Sequence, residues 1–308
     1  MVVIAVPGGT GGVGRTIMDA LRDSGKHTAI ALSRKAPKTQ DPINPILAVD
    51  YNDVDALTKV LEDNNVEVVI SAIFIFDETS SATEINVVKA AEKSKTTTRF
   101  IISNWGLPTP PEELRLSPQK ARLAVIAAIS QTTLEWTQFY NGFFLDYYGM
   151  PYIQSYLNPV TFVVDVANKT AVIPGTGDEP VSLTYTRDLG KFVVAVLGLK
   201  EWEREYCCRS ETTTWNKVVK RAEEIVGVKF KITYDDVDML KRGESTEMPA
   251  YPSESYIPKA AIRVLQAMFG LYSVYGLFHV PEEKALNGKF PEIETITVDE
   301  VLDHWKGK

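Results

Sequence analysis

The sequence predicts an α/β protein: a doubly wound parallel sheet with a smaller, less regular substrate-binding lobe. Three observations carry this prediction. Short apolar runs alternate with helical patterns through the first half of the chain. The first of these runs feeds a glycine-rich turn. After Gly149 the rhythm gives way to recurring prolines and clustered aromatics. Strand–helix alternation implies parallel strands joined through helices. Right-handed crossovers then make the sheet doubly wound.

The elements follow in order. Val2 to Val6 is an apolar run that ends in glycines, a first strand. Thr16 to Leu21 reads as a helix, closed by Ser24-Gly25. Thr28 to Leu32 and Ile46 to Val49 are the second and third strands, and a helix follows over Val54 to Leu61. Val66 to Ala72 is the fourth strand, Glu84 to Ala91 a helix, Phe100 to Ile102 the fifth strand, Gln119 to Ile129 a helix and Leu134 to Phe139 the sixth strand. This sets a dinucleotide-type domain over residues 1–149 and a second lobe over 150–308. Within that lobe Arg187 to Leu197 reads as a helix, Glu205 to Cys208 as a strand and Lys217 to Val226 as a helix. Segments around 185–208 are expected to return to the first sheet. The stretch from Asp235 to Pro258 is polar and proline-bearing. Val264 to Val280 is apolar but carries Gln266, Gly270, Ser273 and Gly276, so it reads as a buried or pocket-lining helix rather than a membrane span.

Composition narrows the class. The chain has 308 residues, 44% hydrophobic and 24% charged, and a formal charge of -7. A chain of this size buries a core without staples. No basic run offers a nucleic-acid footprint. The N-terminal apolar run has no basic flank and meets glycines at once, unlike a signal peptide. Cys207 and Cys208 are adjacent and read as packing residues in a reducing, cytoplasmic setting. His27, His279 and His304 are scattered, which argues against a metal site or a nucleophile–base pair. There is no G-x-S-x-G elbow of a hydrolase. Nothing in the sequence fixes an oligomeric state.

The glycine turn is Gly8-Gly9-Thr10-Gly11-Gly12-Val13-Gly14. Gly9, Gly11 and Gly14 make G-x-G-x-x-G, and Gly8, Gly11 and Gly14 make G-x-x-G-x-x-G. It follows a strand and opens a helix, the context in which such glycines let backbone approach a pyrophosphate. The helix N-terminus then offers unpaired N–H groups to the phosphates. The alternative is a purely structural glycine loop. An acidic residue at the tip of the second strand would hold a ribose hydroxyl and favour NAD. Here the tip reads Ser33-Arg34-Lys35, two cations suited to a 2′-phosphate, so the expected cofactor is NADP(H). Asp50 is placed either to accept from the adenine amino group or to cap the following helix. Ser71, Ala72 and Ile73 are compact enough for the nicotinamide half to lie across the strand end, with Phe74 as a wall.

These segments, with Val69-Ile70-Ser71-Ala72, Phe100-Ile101-Ile102-Ser103-Asn104-Trp105-Gly106, Asn141-Gly142-Phe143-Phe144 and Arg187-Asp188-Leu189-Gly190, resemble the isoflavone reductase-like and NmrA-like proteins. These are atypical short-chain dehydrogenases, and the flavour is that of fungal natural-product members. The resemblance covers the chain to about residue 230. It implies a Rossmann-like fold. No lysine here has a tyrosine four residues before it, so the Tyr-x-x-x-Lys relay of short-chain dehydrogenases at large is absent. The resemblance instead implies a catalytic lysine on the helix after the fifth strand, at Lys120. There it would bond the nicotinamide ribose and take part in proton transfer, and Ser103 would join the cofactor site. A lysine facing an apolar cleft loses hydration, which brings proton exchange toward neutral pH. The alternative is a surface lysine. Many relatives carry glutamate where this chain has Asn104, and an amide cannot serve as a base or an anion.

Trp105, Tyr140, Phe143, Phe144, Tyr147, Tyr148 and Tyr152 gather aromatic surface after the fifth and sixth strands. With Asn104 and Asn141 as polar handles they suit a flat, hydrophobic small molecule. Core packing is the alternative for each ring. Asp146 suits an amine partner or a cap, and the tail from Tyr256 to Val280 is a candidate cover. Three functions follow. The first is NADPH-dependent reduction of a C=C, C=N or C=O bond in an aromatic or heterocyclic metabolite. The second is dinucleotide sensing without turnover, as in NmrA-like regulators. The third is cyclisation of a natural-product intermediate, redox-coupled or not.

Overall fold

The computed structural model describes residues 2–38, 45–249 and 259–308. The chain forms two units, one of residues 1–105, 109–140 and 189–206, the other of 106–108, 141–188 and 207–308. The expected boundary after Gly149 therefore falls inside the second unit, whose main run begins at residue 141.

Unit one runs β1 (Val2–Pro7), α1 (Gly12–Ser24), β2 (His27–Ser33), β3 (Ile46–Ala48), α2 (Val54–Asp63), β4 (Val68–Ile70), α3 (Glu78–Lys93), β5 (Arg99–Gly106), α4 (Ser117–Ile129) and β6 (Glu135–Tyr140). The remaining strands and helices in chain order are β7 (Phe143–Phe144), α5 (Asp146–Gly149), β8 (Val164–Asp165), β9 (Thr170–Pro174), β10 (Val181–Thr184), α6 (Thr186–Leu197), β11 (Glu205–Cys207), β12 (Glu211–Thr213), α7 (Trp215–Val226), β13 (Lys231–Asp235), α8 (Val237–Lys241), α9 (Lys259–Val274), α10 (Leu286–Lys289) and α11 (Val298–Asp303).

Seven strands form one sheet in the order β11-β6-β5-β4-β1-β2-β3. The pairings β1–β2, β1–β4, β2–β3 and β4–β5 are parallel, with Ile4 opposite both Ala29 and Val68. The chain runs outward from β1 to β3 and then crosses to β4 on the other side. The strand order thus reverses between β1 and β4, where open α/β sheets bind their ligands. Strands covered on both faces read as continuous apolar runs, and Ala5, Ile30, Leu32, Val69, Phe100 and Ile102 are all buried in one cluster with Leu57, Val88 and Ile129 from the helices.

The helix ends have local causes. Gly25, at φ +62, closes α1 in the left-handed conformation that glycine adopts without strain. Asp53 caps α2 by accepting from Ala56 N–H. Asp77 and Ser80 form a reciprocal capping box at the start of α3. That box explains why α3 begins at Glu78, a turn and a half before the expected Glu84. β4 is shorter than expected because residues after Ile70 leave the strand while keeping ladder-like bonds, Ser71 N–H to Ile101 O and Ala72 N–H to Pro7 O.

Unit two holds two three-stranded sheets, β12-β10-β7 and β13-β9-β8. Its core is aromatic. The Phe143 ring lies 4.9 Å from Phe162 and 5.6 Å from Phe278, and Phe162 meets Trp215 edge-on at 5.8 Å. Trp215 Nε1–H donates to Ser273 Oγ on α9. That helix ends at Val274, and Gly276 at φ +70 turns the chain, so the apolar stretch to Val280 is only partly helical. Among the described residues, no helix is long and apolar enough to cross a membrane. Cys207 and Cys208 are free thiols, and burial pushes the Cys208 thiol well up, as for an inert packing residue.

Candidate cofactor and active site

The glycine loop is built by close approach of backbone to backbone. Gly8 has φ +75, and a Cβ there would lie 2.6 Å from Ala72 O. A Cβ on Gly9 would lie 2.7 Å from Ala31 Cβ, and one on Gly14 only 2.2 Å from Gly8 O. Three of the motif's glycines are therefore required by space. The loop is pinned to the sheet by Gly8 N–H to Leu32 O and Gly9 N–H to Val6 O. Tyr51 adds a second pin. Its buried hydroxyl donates to Leu32 O at 2.8 Å and accepts from Gly8 N–H at 3.3 Å.

Arg15 N–H makes the first bond of α1, to Gly11 O. The amides of Gly12, Val13 and Gly14 are thus the orphan donors of the helix start. Gly11 supplies no side-chain cap, and the first turn has no acidic residue. An uncapped start, free of negative charge and cradled by glycine, fits a pyrophosphate. Beside it, Thr10 Oγ1 lies 3.3 Å from Ser33 Oγ, tying the loop to the tip of β2. Arg34 and Lys35 follow, both exposed. Asp50 is exposed and accepts from Asn52 N–H and Asn52 Nδ2–H. The capping alternative for Asp50 is corrected: Asp53 is the cap, three residues later and at the helix boundary.

The exit from β4 is held on three sides. Ala72 N–H donates to Pro7 O, Ser103 Oγ–H to Ile73 O at 2.7 Å, and Trp105 Nε1–H to Ser71 O at 3.1 Å. Ser103 and Trp105 thus shape the segment Ser71–Phe74 with their own donors. Phe74 is 78% exposed and stacks on Phe76 with ring centroids 6.0 Å apart. Beneath this exit lies Glu84 of α3, 1% exposed, whose Oε1 accepts from Ser103 N–H at 2.7 Å. Burial raises its carboxyl to about 7, against the pull of the Ser103 N–H, the Ser71 hydroxyl and the Arg122 charge.

Two sequence expectations need correction here. Asn104 is 3% exposed and donates to Gln138 Oε1. Gln138 Nε2–H and Tyr140 O–H both donate to Glu205 Oε1. Asn104 and Tyr140 are therefore spent on a network across β5, β6 and β11, where ligand contacts were expected. Lys120 lies on the first turn of α4 and is exposed, so the dehydration expected of it is not present in this structure.

The remaining residues belong to unit two. Asn141 is wholly buried, and neither atom of its carboxamide has a hydrogen-bond partner among the described residues. Phe143 is 9% exposed and sits in the aromatic core, correcting its expected role as a ligand contact: five rings surround it. Phe144 and Tyr147 are half-buried and meet edge-on, and burial beside Asp146 pushes the Tyr147 hydroxyl up. Asp146 resolves as a cap. It accepts from Ser155 Oγ–H, Thr186 N–H and Thr186 Oγ1–H at the start of α6. Tyr148 is core and Tyr152 packs edge-on against Trp305. Tyr256, the start of the expected cover, lies outside the described residues.

Sequence reasoning missed Glu84 and Tyr51. Glu84 had a signal: Ser81, Glu84, Val88 and Ala91 share one buried helical face, and a carboxylate there is anomalous. Among the described residues no cluster of His, Cys, Asp or Glu could hold a metal ion.

Comparison with known proteins agrees with this geometry. A family model described as NAD(P)H-binding matches residues 8–151, beginning at the first glycine of the loop. The oxidoreductase swnN of Metarhizium robertsii is 34% identical, over 97% of this chain and 96% of its own length. The oxidoreductase BOA1 of Botryotinia fuckeliana is 36% identical, over 75% of this chain and 78% of its own. Among solved structures, an isoflavone reductase shares the fold at a TM-score of 0.74 and 19% identity, covering 98% of this chain and 99% of that one. AtPrR2 with NADP+ and (+)pinoresinol also gives a TM-score of 0.74, at 16% identity over 99% of this chain and 98% of that one.

Proposed function

The chain belongs to the family of NAD(P)H-binding oxidoreductases that includes swnN and BOA1, with the fold of isoflavone reductase, and from that premise we propose that it is an NADPH-dependent reductase of a hydrophobic aromatic or heterocyclic small molecule. The observation that carries this reading is the loop at the tip of β1. Gly8, Gly9 and Gly14 leave no room for side chains, and the loop opens an uncapped helix start free of acidic residues.

The residues divide the work. Gly12, Val13 and Gly14 present their amides to the pyrophosphate. Arg34 and Lys35, exposed just past Ser33, pair with the 2′-phosphate, and no carboxylate there would reward a free ribose hydroxyl. Ser71, Ala72, Ile73 and Phe74 would form the floor for the nicotinamide half, stiffened by the bonds from Ser103 and Trp105 and by the bond that Ala72 N–H donates to Pro7 O. Held there, the dinucleotide would supply hydride chemistry toward a C=C, C=N or C=O bond of the substrate. Lys120, exposed on the first turn of α4, would hold and deliver the proton that completes the reduction. Fungal relatives named oxidoreductases and the pinoresinol bound to AtPrR2 support an aromatic metabolite as substrate. Of the rings expected to meet a substrate, Trp105, Phe144 and Tyr147 are each half-buried and not spent wholly on a core.

The test is NADPH consumption against a panel of aromatic and heterocyclic ketones, imines and enones. Turnover with at least one member, and much weaker turnover with NADH, is the expected result. Tight NADPH binding without turnover on any member, or on a metabolite extract, would instead favour a sensor.

A further inference from the structure

We propose that Tyr51 is a positioning residue for coenzyme choice: its hydroxyl fixes the spacing between the glycine loop and the cations at the tip of β2, and so favours NADPH over NADH. The inference rests on the reading that the loop takes the pyrophosphate and Arg34 the 2′-phosphate. Tyr51 acts through those two elements and not on the ligand itself.

Its first support is topology. β1, β2 and β3 are successive neighbours in the sheet. Tyr51 lies three residues past the end of β3, and its ring is buried in one cluster with Ile30, Leu32 and Leu57. Asn86 Nδ2–H of α3 donates to Tyr51 O at 3.1 Å and fixes its backbone. From there the side chain reaches past the tip of β2 to the turn that follows β1. The hydroxyl donates to Leu32 O at 2.8 Å and accepts from Gly8 N–H at 3.3 Å. One group thus joins the exits of three strands.

The second support is the closed form of those bonds. Gly8 N–H also donates to Leu32 O, at 3.0 Å. The three groups make a triangle, and a phenol closes it because one oxygen both donates and accepts. Burial pushes this hydroxyl up to about 12, against the Gly8 N–H and the Arg34 charge, so it keeps its proton for Leu32 O at neutral pH. Leu32 stands two residues before Arg34, and Val49 N–H holds Ser33 O between them at 2.9 Å. The other side of the loop is already fixed, since Gly8 faces Ala72 O with no room for a Cβ.

The third support is the inequality of the two bonds. The 2.8 Å bond holds the tip of β2, and the longer 3.3 Å bond holds the loop. Shorter contacts are the stronger ones. The loop also keeps its bond to Leu32 O without the phenol. Removing the hydroxyl therefore loosens the tip of β2 more than the loop. NADPH and NADH share the pyrophosphate and differ at the 2′-phosphate. Bidentate pairing of an arginine with a phosphate is geometrically demanding, so the loss falls on NADPH.

The experiment is fluorescence titration of NADPH and NADH into the wild type and Tyr51→Phe. Phenylalanine keeps the buried ring and leaves Gly8 N–H and Leu32 O paired with each other, so circular dichroism should show the same fold. The variant should bind NADPH about three- to tenfold more weakly, the size of one lost neutral hydrogen bond, and NADH weaker by about twofold or less. In an Arg34→Gln background the same substitution should no longer lower the preference for NADPH. Equal losses for both coenzymes, or no loss, overturn the inference and leave the cofactor reading intact. Failure of the wild type to bind NADPH overturns the cofactor reading and this inference with it. A second measurement covers a variant that does not fold. With 3-fluorotyrosine in place of Tyr51 the hydroxyl is kept, and the fluorine resonance should move further with saturating NADPH than with saturating NADH. Equal displacements by the two coenzymes refute the role.

Discussion

Gly14→Ala is the sharpest perturbation of the glycine loop. The added Cβ would lie 2.2 Å from Gly8 O, 2.8 Å from Gly8 C and 2.8 Å from Gly9 Cα, where ordinary contact begins at 3.4 Å. The loop cannot retreat to make room. Gly8 is backed against Ala72 O and Gly9 against Ala31 Cβ, at 2.6 and 2.7 Å from their own Cβ positions. Helix α1 must therefore shift by about 1 Å, in an interior packed too densely to absorb it. Overpacking of this kind costs about 1–3 kcal/mol. A shifted helix start no longer aims its amides at the pyrophosphate. If that cost falls on binding, the NADPH Kd rises about 10- to 100-fold, at 1.4 kcal/mol per factor of ten. NADPH fluorescence titration measures it, with circular dichroism to confirm the fold. Gly198→Ala, where the added Cβ would meet nothing nearer than Ala195 O at an ordinary 3.4 Å, is the control and should leave Kd unchanged. An unchanged Kd for Gly14→Ala would falsify the account of the loop.

Three further outcomes follow from the same residues. Arg34→Asp should weaken NADPH binding about tenfold or more, as expected for a lost charge-assisted pair, and leave NADH binding nearly unchanged; equal losses for both coenzymes would remove Arg34 from the 2′-phosphate. Lys120→Ala should lower kcat by about 10²- to 10⁴-fold without shifting the melting temperature, because the side chain is exposed; undiminished turnover would make it a surface lysine. Glu84 bears on stability as well. Its folded pKa of about 7 lies above the 4.5 of the unfolded chain. The native state therefore holds the proton longer, so stability falls as pH rises from about 4.5 to 7 and levels off above, by about 3 kcal/mol in all. Urea unfolding of Glu84→Gln across that range should show this slope removed, and an unaltered slope would count against the buried acid.

Much of unit one was legible because its physics is local. Apolar runs between turns located every strand from β1 to β6, and Gly25 and the cap-rich segments marked helix ends. The glycine motif, its strand and its helix lay where the spacing put them, and Ser33-Arg34-Lys35 did follow the second strand. What escaped depended on partners remote in sequence. The polar first turn of α3 is helical because Asp77 and Ser80 satisfy each other. The strands β7, β8 and β12 have two or three residues each, too few to show a period of two. Asn104 and Tyr140 looked like ligand contacts, since a buried network through Gln138 and Glu205 has no sequence signature. Phe143 likewise became core through rings from Phe162, Phe269 and Phe278, more than a dozen residues away.

The central claim is that this chain moves a hydride from NADPH to an aromatic or heterocyclic metabolite. The direct measurement uses NADPH deuterated at the transferable position, mixed with the protein and a metabolite extract of its source organism, and read by mass spectrometry. The account predicts a product carrying one deuterium, formed only with the active protein and much reduced with Lys120→Ala. Confirmed NADPH binding with no deuterium in any product would contradict it.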